Sequence, residues 1–181
     1  MDGIIPLYKE RGMTSFACVS RLRQILKTKK IGHSGTLDPG VAGVLPICVG
    51  NATKVVDYLM QSGKQYQGEL LIGFATTTQD LDGEKIEEKE VTNEIPTSEI
   101  ISAMNSLTGT IIQIPPMYSA VKVNGKKLYE YARAGETVER PKRQVTISKF
   151  KLLSSKYDEE NKQQRIRFNV ECSKGTYIRT L

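Results

Sequence analysis

The stretch from Ile31 to Lys54 constrains this chain more than any other. It reads Ile-Gly-His-Ser-Gly-Thr-Leu-Asp-Pro-Gly-Val-Ala-Gly-Val-Leu-Pro-Ile-Cys-Val-Gly-Asn-Ala-Thr-Lys and holds five glycines, Gly32, Gly35, Gly40, Gly43 and Gly50. Glycine permits positive φ and lets another backbone or a ligand come close. Asp38 stands directly before Pro39, which pushes it out of the α region into an extended conformation. Leu37 to Gly40 then reads as a tight turn built on Pro39. Two readings of Asp38 stand at this point. A carboxylate on a rigid turn, near the only histidine of the chain, His33, suits a nucleophile or a general base. Asp-Pro-Gly is equally a turn-forming tripeptide, in which the aspartate supports the turn and nothing more.

Composition narrows the class of protein. At 181 residues the chain fits one domain, or one with an appendage. Apolar residues make up 39% and charged residues 25%, ordinary for a globular protein in water. No apolar run approaches the roughly 18 residues of a membrane span. The start, Met-Asp-Gly-Ile-Ile-Pro-Leu-Tyr-Lys-Glu, lacks a basic segment followed by an apolar one, so no signal peptide is visible. Cys18, Cys48 and Cys172 are odd in number and scattered. They predict reduced core thiols in a cytoplasmic protein, with no disulfide framework. One histidine and no Cys-x-x-Cys argue against zinc.

Charge is unevenly placed. Residues 79–94 hold seven acids against Lys85 and Lys89, a local −5 that leaves +11 for the remainder of a +6 chain. A basic body with one acidic loop suits a polyanion, nucleic acid first, or a solubilising surface.

The periodicity predicts a short strand over 3–8, a loop over 9–15, and a helix capped by Thr14 or Ser15 and running to about Thr28. Its apolar face would be Phe16, Val19, Leu22, Ile25 and Leu26. The opposite face carries Arg21, Arg23 and Lys27, continued by Lys29 and Lys30, and no acid occurs between Arg11 and Leu37. Such a face suits phosphates, or plain solvent. Val41–Val49 reads as a buried strand despite Pro46. A helix from Asn51 or Thr53 to Met60 would point Val55, Val56 and Leu59 inward and end at Gly63. Lys64–Gly73 is a strand with Tyr66 and Gly68 on one face and Gln65 and Gln67 on the other. Thr76–Gly83 is a polar turn; Asp80 and Asp82 lack the further ligands of a calcium loop. Thr97 would cap a helix over Ser98–Leu107, with Ile100, Ile101, Met104 and Leu107 inward. A strand over Thr110–Ile114 and a hairpin turn at Asn124-Gly125 come next. A short helix over Leu128–Ala134 follows, then strands over Val145–Leu153 and Ile166–Cys172 around a charged loop, Ser154–Gln164.

Several of these segments carry a family resemblance, in the family's order. Lys9–Ser15 is similar to the first motif of the pseudouridine synthases, with Glu10 where they usually have proline. Gly32–Lys54 resembles their central motif, Lys64-Gln65-Tyr66 their Lys-x-Tyr segment, and Gly175–Leu181 their Gly-Thr-Tyr-Ile-Arg-Thr-Leu motif. The run Gln113–Gly125, with Tyr129 and Ala132-Arg133 behind it, resembles the bacterial tRNA position-55 branch, the TruB family.

The resemblance implies an α+β fold, a mixed and largely antiparallel sheet flanked by helices. It implies a catalytic domain over 1–181 that is incomplete at its C-terminus and lacks the small RNA-binding PUA domain. It implies isomerisation of uridine 55 in the T loop of tRNA, with no cofactor and no metal, by a monomer bound to the T stem-loop. Asp38 would be the catalytic carboxylate, Tyr66 would pack on the target uracil, and Arg179 would pair with Asp38. An arginine partner favours the ionised carboxylate and fixes its orientation. The target base would have to be flipped out, at a cost of about a few kcal/mol. His33 is placed to fill the vacated stack, and Lys9, Arg21, Arg23, Lys64 and Tyr118 complete the expected RNA contacts. An RNA-binding fragment without turnover is the alternative. An aspartate-dependent glycosidase would need a second carboxylate motif, and none is evident.

Overall fold

A computed structural model describes residues 1–181, which form two compact units, Met1–Ser62 and Gly63–Leu181. The fold is α+β and every strand pairing in it is antiparallel. No helix is long and apolar enough to cross a membrane.

The first unit is a three-stranded sheet in the order β1-β3-β2, formed by β1 (Gly3–Lys9), β2 (Ile31–His33) and β3 (Gly43–Val49). Helix α1 (Ser15–Ile25) starts where the Thr14 hydroxyl accepts from Ala17 N at 3.0 Å. This cap satisfies one of the amides that a helix leaves unpaired at its start. Cys18 and Val19 bury against Ile31, Leu45, Ile47 and Val49, with Leu22 and Leu26 beside them. The buried stripe is therefore Cys18, Val19, Leu22 and Leu26. Phe16 and Ile25, expected inward, are 65% and 64% exposed, because those four positions already fill the face turned to the sheet. Lys27 adopts a φ of 49° and stops the helix short of Thr28.

Strand β3 starts at Gly43, because Val41 N is used to close a turn on Asp38 O at 3.0 Å. Pro46 is tolerated for a local reason. It faces Pro6 on the edge strand β1, and its carbonyl accepts from Ser34 N at 3.1 Å, just past the end of β2. Proline is confined to such strand margins because it donates nothing to a ladder. After β3 the chain forms a 3₁₀ turn over Gly50–Val55 before α2 (Val56–Gln61). The tighter 3₁₀ winding shifts the phase of the side chains, which leaves Val55 38% exposed instead of inward. The extended backbone of Ser62, not Gly63, ends α2.

The second unit is organised on a four-stranded sheet, β4-β11-β10-β7. Its strands are β4 (Lys64–Ile72), β7 (Gly109–Gln113), β10 (Arg143–Asp158) and β11 (Gln163–Cys172). Helix α3 (Thr97–Ser106) buries Ile100 and Met104 against Ile147, Ile166, Phe168, Val170 and Cys172. Thr97 does not cap it: Pro96 holds the N-cap position and makes no side-chain bond. Ile101 is 43% exposed, off the packed stripe. Strands β10 and β11 are longer than expected, and most of the charged segment 154–164 is paired strand. Its polar residues are accommodated because the inner face receives only alternate positions. Two small hairpins complete the unit. The first pairs β5 (Phe74–Thr76) with β6 (Lys85–Glu88) inside the acidic segment. The second pairs β8 (Lys122–Val123) with β9 (Lys126–Lys127) and leads into α4 (Leu128–Arg133). Asn124 and Gly125 form its turn with φ of 51° and 81°, the double positive φ of a type I′ turn. All three cysteines are buried and free, and burial raises the thiol pKa values of Cys48 and Cys172.

Gly68 shows how tightly this sheet is built. A Cβ added there would lie 2.5 Å from the Phe168 ring. That ring is held in turn by the edge of Phe150, with centroids 5.4 Å apart and planes at 82°. With no room to retreat, Gly68→Ala should destabilise the protein by about 1–3 kcal/mol, the usual cost of overpacking. Urea unfolding reads this directly; an unchanged midpoint would mean that Phe168 moves freely.

Candidate active site

The Asp38 turn closes one residue later than the sequence suggested. Val41 N donates to Asp38 O at 3.0 Å, so the turn is Asp38–Val41 with Pro39 in its second position, which the fixed φ of proline favours. The residues on both sides of Asp38 are tied to the segment that runs from the end of β1 to the start of α1. The Ser15 hydroxyl accepts from Leu37 N at 3.0 Å and donates to Leu37 O at 3.2 Å. The Pro39 carbonyl accepts from Gly12 N at 2.8 Å and from Lys9 Nζ at 3.4 Å. Asp38 itself is exposed on this clamped turn. A side chain held at both flanks loses little conformational freedom when it meets a substrate.

Lys9 therefore has a different place from the one expected. It is 1% exposed, and its ammonium also donates to Glu10 O at 3.1 Å and Met13 O at 2.8 Å. Three carbonyls surround a charge that has left water, so Lys9 organises the turn and does not meet a phosphate. From sequence Ser15 reads only as a candidate helix cap, not as a clamp on the Asp38 turn. The signal available was its position beside the Thr14 cap, which reads equally well as a second capping residue.

His33 ends β2 and is half-buried. Its Nδ1 hydrogen-bonds to the Gly35 carbonyl. A carbonyl only accepts, so Nδ1 is the donor in this contact. Of the basic helix face, Arg21, Lys27 and Lys29 are exposed. Arg23 is half-buried and gives Nη2 to Ile31 O at 3.4 Å, and Lys30 gives its ammonium to Asn51 Oδ1 at 2.8 Å.

In the second unit, Tyr66 lies on the inner face of β4 opposite Val170 and packs at the edge of the core. Lys64 opens the same strand, half-buried. Arg179 sits in the final 3₁₀ turn, Ile178–Thr180. Its Nη1 donates to Thr78 O at 3.1 Å and Asp80 Oδ2 at 3.3 Å, and its Nη2 donates to Tyr118 O at 2.8 Å. The Tyr118 ring stays partly exposed while its backbone receives the arginine. The Arg179–Asp80 ion pair is 19% and 33% exposed, sheltered enough for the charges to be screened less than at an open surface.

From sequence Asp80 reads as a turn former. It is one: Thr78 Oγ1 donates to its Oδ1 at 2.5 Å and Asp82 N at 3.1 Å. These bonds leave Oδ2 directed at the guanidinium. The signal that sequence could have used was the combination of Thr78, Asp80 and Gly83; a Cβ on Gly83 would collide with Thr78 Oγ1 at 2.3 Å. A basic, aromatic surface was also missed. Lys126 Nζ stands 4.5 Å above the Tyr131 ring, and Lys127 Nζ and Arg133 each lie 5.3 Å from the Tyr129 ring.

Residues 23–178 match the family model for the TruB family pseudouridylate synthase (N terminal domain). The chain is 96% identical over 181 residues to the tRNA pseudouridine synthase B of Limosilactobacillus reuteri, covering all of this chain and 60% of that protein. It is 60% identical to the protein of the same description from Lactiplantibacillus plantarum, covering 59% of it. The chain thus spans about three-fifths of the length of these relatives. Among solved structures it resembles a chain of a Cbf5-Nop10-Gar1 complex, with a TM-score of 0.68 and 31% identity over 98% of this chain and 41% of the other. It also resembles a chain of an H/ACA RNP bound to a substrate RNA containing 2'-deoxyuridine, with a TM-score of 0.64 and 26% identity over 98% of this chain and 40% of the other.

Proposed function

The chain belongs to the TruB family of pseudouridylate synthases, and on that premise we propose that it converts uridine 55 in the T loop of tRNA to pseudouridine. The observation that carries the reading is Asp38, an exposed carboxylate whose two neighbours are clamped by Lys9, Gly12 and Ser15. The reaction breaks the bond from ribose C1′ to uracil N1 and forms one from C1′ to C5 of the same base. The C5 hydrogen leaves to solvent and N1 gains a proton, so atoms balance without a second substrate. Asp38 acts on the sugar or the base, Tyr66 packs against the flipped uracil, and Arg179 pairs with Asp38. The proposed partner is the T stem-loop, met by a monomer.

The RNA contacts divide by what each side chain offers. Arg21, Lys27 and Lys29 present exposed charge to phosphates, with Arg23 and Lys64 partly available. His33 and Tyr118 offer rings for stacking, and the Tyr129–Tyr131 surface adds cations held over aromatic faces. Phosphate contacts release counterions, so affinity for a T stem-loop RNA should fall steeply with salt. Arg21→Ala should lower the slope of log affinity against log salt by about one. A flat salt response would remove α1 from the interface.

Release of label from C5-tritiated uridine in a T stem-loop RNA tests the reading. Release by this chain supports it. Because the chain is about three-fifths the length of its relatives, binding without release is the second outcome, that of an RNA-binding fragment. No release from a chain extended to the relatives' length would overturn the reading.

A further inference from the structure

Building on the proposed isomerase, we infer that Gln113 is a positioning residue for Arg179, acting through the backbone of Tyr177. Gln113 ends β7 and is 5% exposed. Its Oε1 accepts from Tyr177 N at 2.8 Å, and its Nε2 donates to Tyr177 O at 2.9 Å. The amide thus meets the Tyr177 backbone as a neighbouring strand would, pairing donor and acceptor together. Tyr177 O also receives Thr180 N at 3.2 Å and Thr180 Oγ1 at 3.1 Å. These bonds join the Gln113 anchor to the 3₁₀ turn that carries Arg179.

The same stretch of chain meets Arg179 at its other end. Tyr118, in the loop that follows β7, supplies the carbonyl that accepts Arg179 Nη2 at 2.8 Å. Gln113 therefore fixes the backbone origin of the arginine, and Tyr118 and Asp80 fix its tip. A guanidinium fork is useful only in the right orientation, and a shift of about 1 Å at a reacting group costs on the order of a hundredfold in rate. Leucine at 113 would fill similar space but leave Tyr177 N unpaired, so the turn would relax toward another partner.

Burial of a paired glutamine also stabilises the fold, and a matched control separates the two roles. Gln164 is fully buried and makes the same two-way bond to Ile95, at 2.6 and 3.0 Å, with a third bond to Ser155. It holds β11 to the segment before α3 and makes no bond to Arg179. Gln113→Leu and Gln164→Leu should therefore lower thermal stability alike. Only Gln113→Leu should lower the single-turnover rate of tritium release at saturating protein, by roughly tenfold or more, with RNA affinity unchanged. Where the parent turns over, equal rates for the two variants would overturn the inference.

A second readout needs no turnover. The nitrogen-15 spectrum of the arginine guanidinium groups in the free protein should show Arg179, assigned by its loss in Arg179→Lys, as a slowly rotating group. It should stay so in Gln164→Leu and become mobile in Gln113→Leu. A guanidinium as restricted in Gln113→Leu as in the parent would overturn the inference even if no isomerase activity were found. Absence of turnover even in a chain extended to the relatives' length, with Arg179 mobilised by Gln113→Leu alone, would instead reject the function and keep the positioning role.

Discussion

Asp38→Asn should abolish tritium release from the T stem-loop substrate, by about a thousandfold or more, and leave RNA affinity within about twofold. The substitution is close to isosteric. Its effect on the turn is small because the turn is closed by the Asp38 carbonyl, not by its side chain, and its flanks are held by Ser15, Gly12 and Lys9. What asparagine lacks is the ionised oxygen, which both candidate roles require: a nucleophile must share an electron pair, and a base must take a proton. Affinity should survive because exposed cations and rings make the contacts with phosphate and base, and the carboxylate would if anything repel the backbone. Full activity of Asp38→Asn would show that another group does the chemistry. Lost binding together with lost turnover would show that Asp38 holds the RNA instead.

The Asp38 region was readable because its constraints are local. Proline acts on the residue before it, glycine punctuates the chain, and the apolar run that follows has nowhere to go but inward. The strand read over Val41–Val49, which the structure begins at Gly43, the Asn124-Gly125 turn and the alternation of Tyr66 and Gly68 with Gln65 and Gln67 are likewise short-range patterns. What failed depended on distant partners. Lys9 looked like a surface cation, because nothing nearby reveals that the Pro39 carbonyl, thirty residues on, lies over its ammonium. The segment 154–164 looked like a loop because its charges outweigh its alternation, yet hydrogen bonding to a partner strand organises it. Phe16 and Ile25 matched the helical period, but the inner face took Cys18 beside Val19, Leu22 and Leu26. Periodicity gives the direction of a side chain but not which of two adjacent stripes the sheet receives.

Asp80 belongs with the long-range failures, and it leads to the second large effect. Arg179→Lys should lower the rate of tritium release by about a hundredfold, and Asp80→Asn by on the order of tenfold, with RNA affinity little changed in either. Lysine keeps the charge but has no planar fork; it cannot reach Thr78 O, Asp80 and Tyr118 O together, as the guanidinium does. Asparagine at 80 keeps an acceptor for Thr78 and for Asp82 N but loses the full charge opposite Nη1. The arginine would then lose the charged anchor on Nη1 and keep the Thr78 and Tyr118 carbonyls, which hold its orientation less firmly. If Asp80 acts by aiming Arg179, the two substitutions cannot add. Once lysine has replaced the fork, removing the Asp80 charge should change the rate by less than about threefold. A double variant whose loss equals the product of the single losses would mean that Asp80 serves the reaction independently of Arg179, through the turn from Thr76 to Gly83. Measuring the four rates at saturating protein separates these cases, because it removes any contribution from weaker RNA binding.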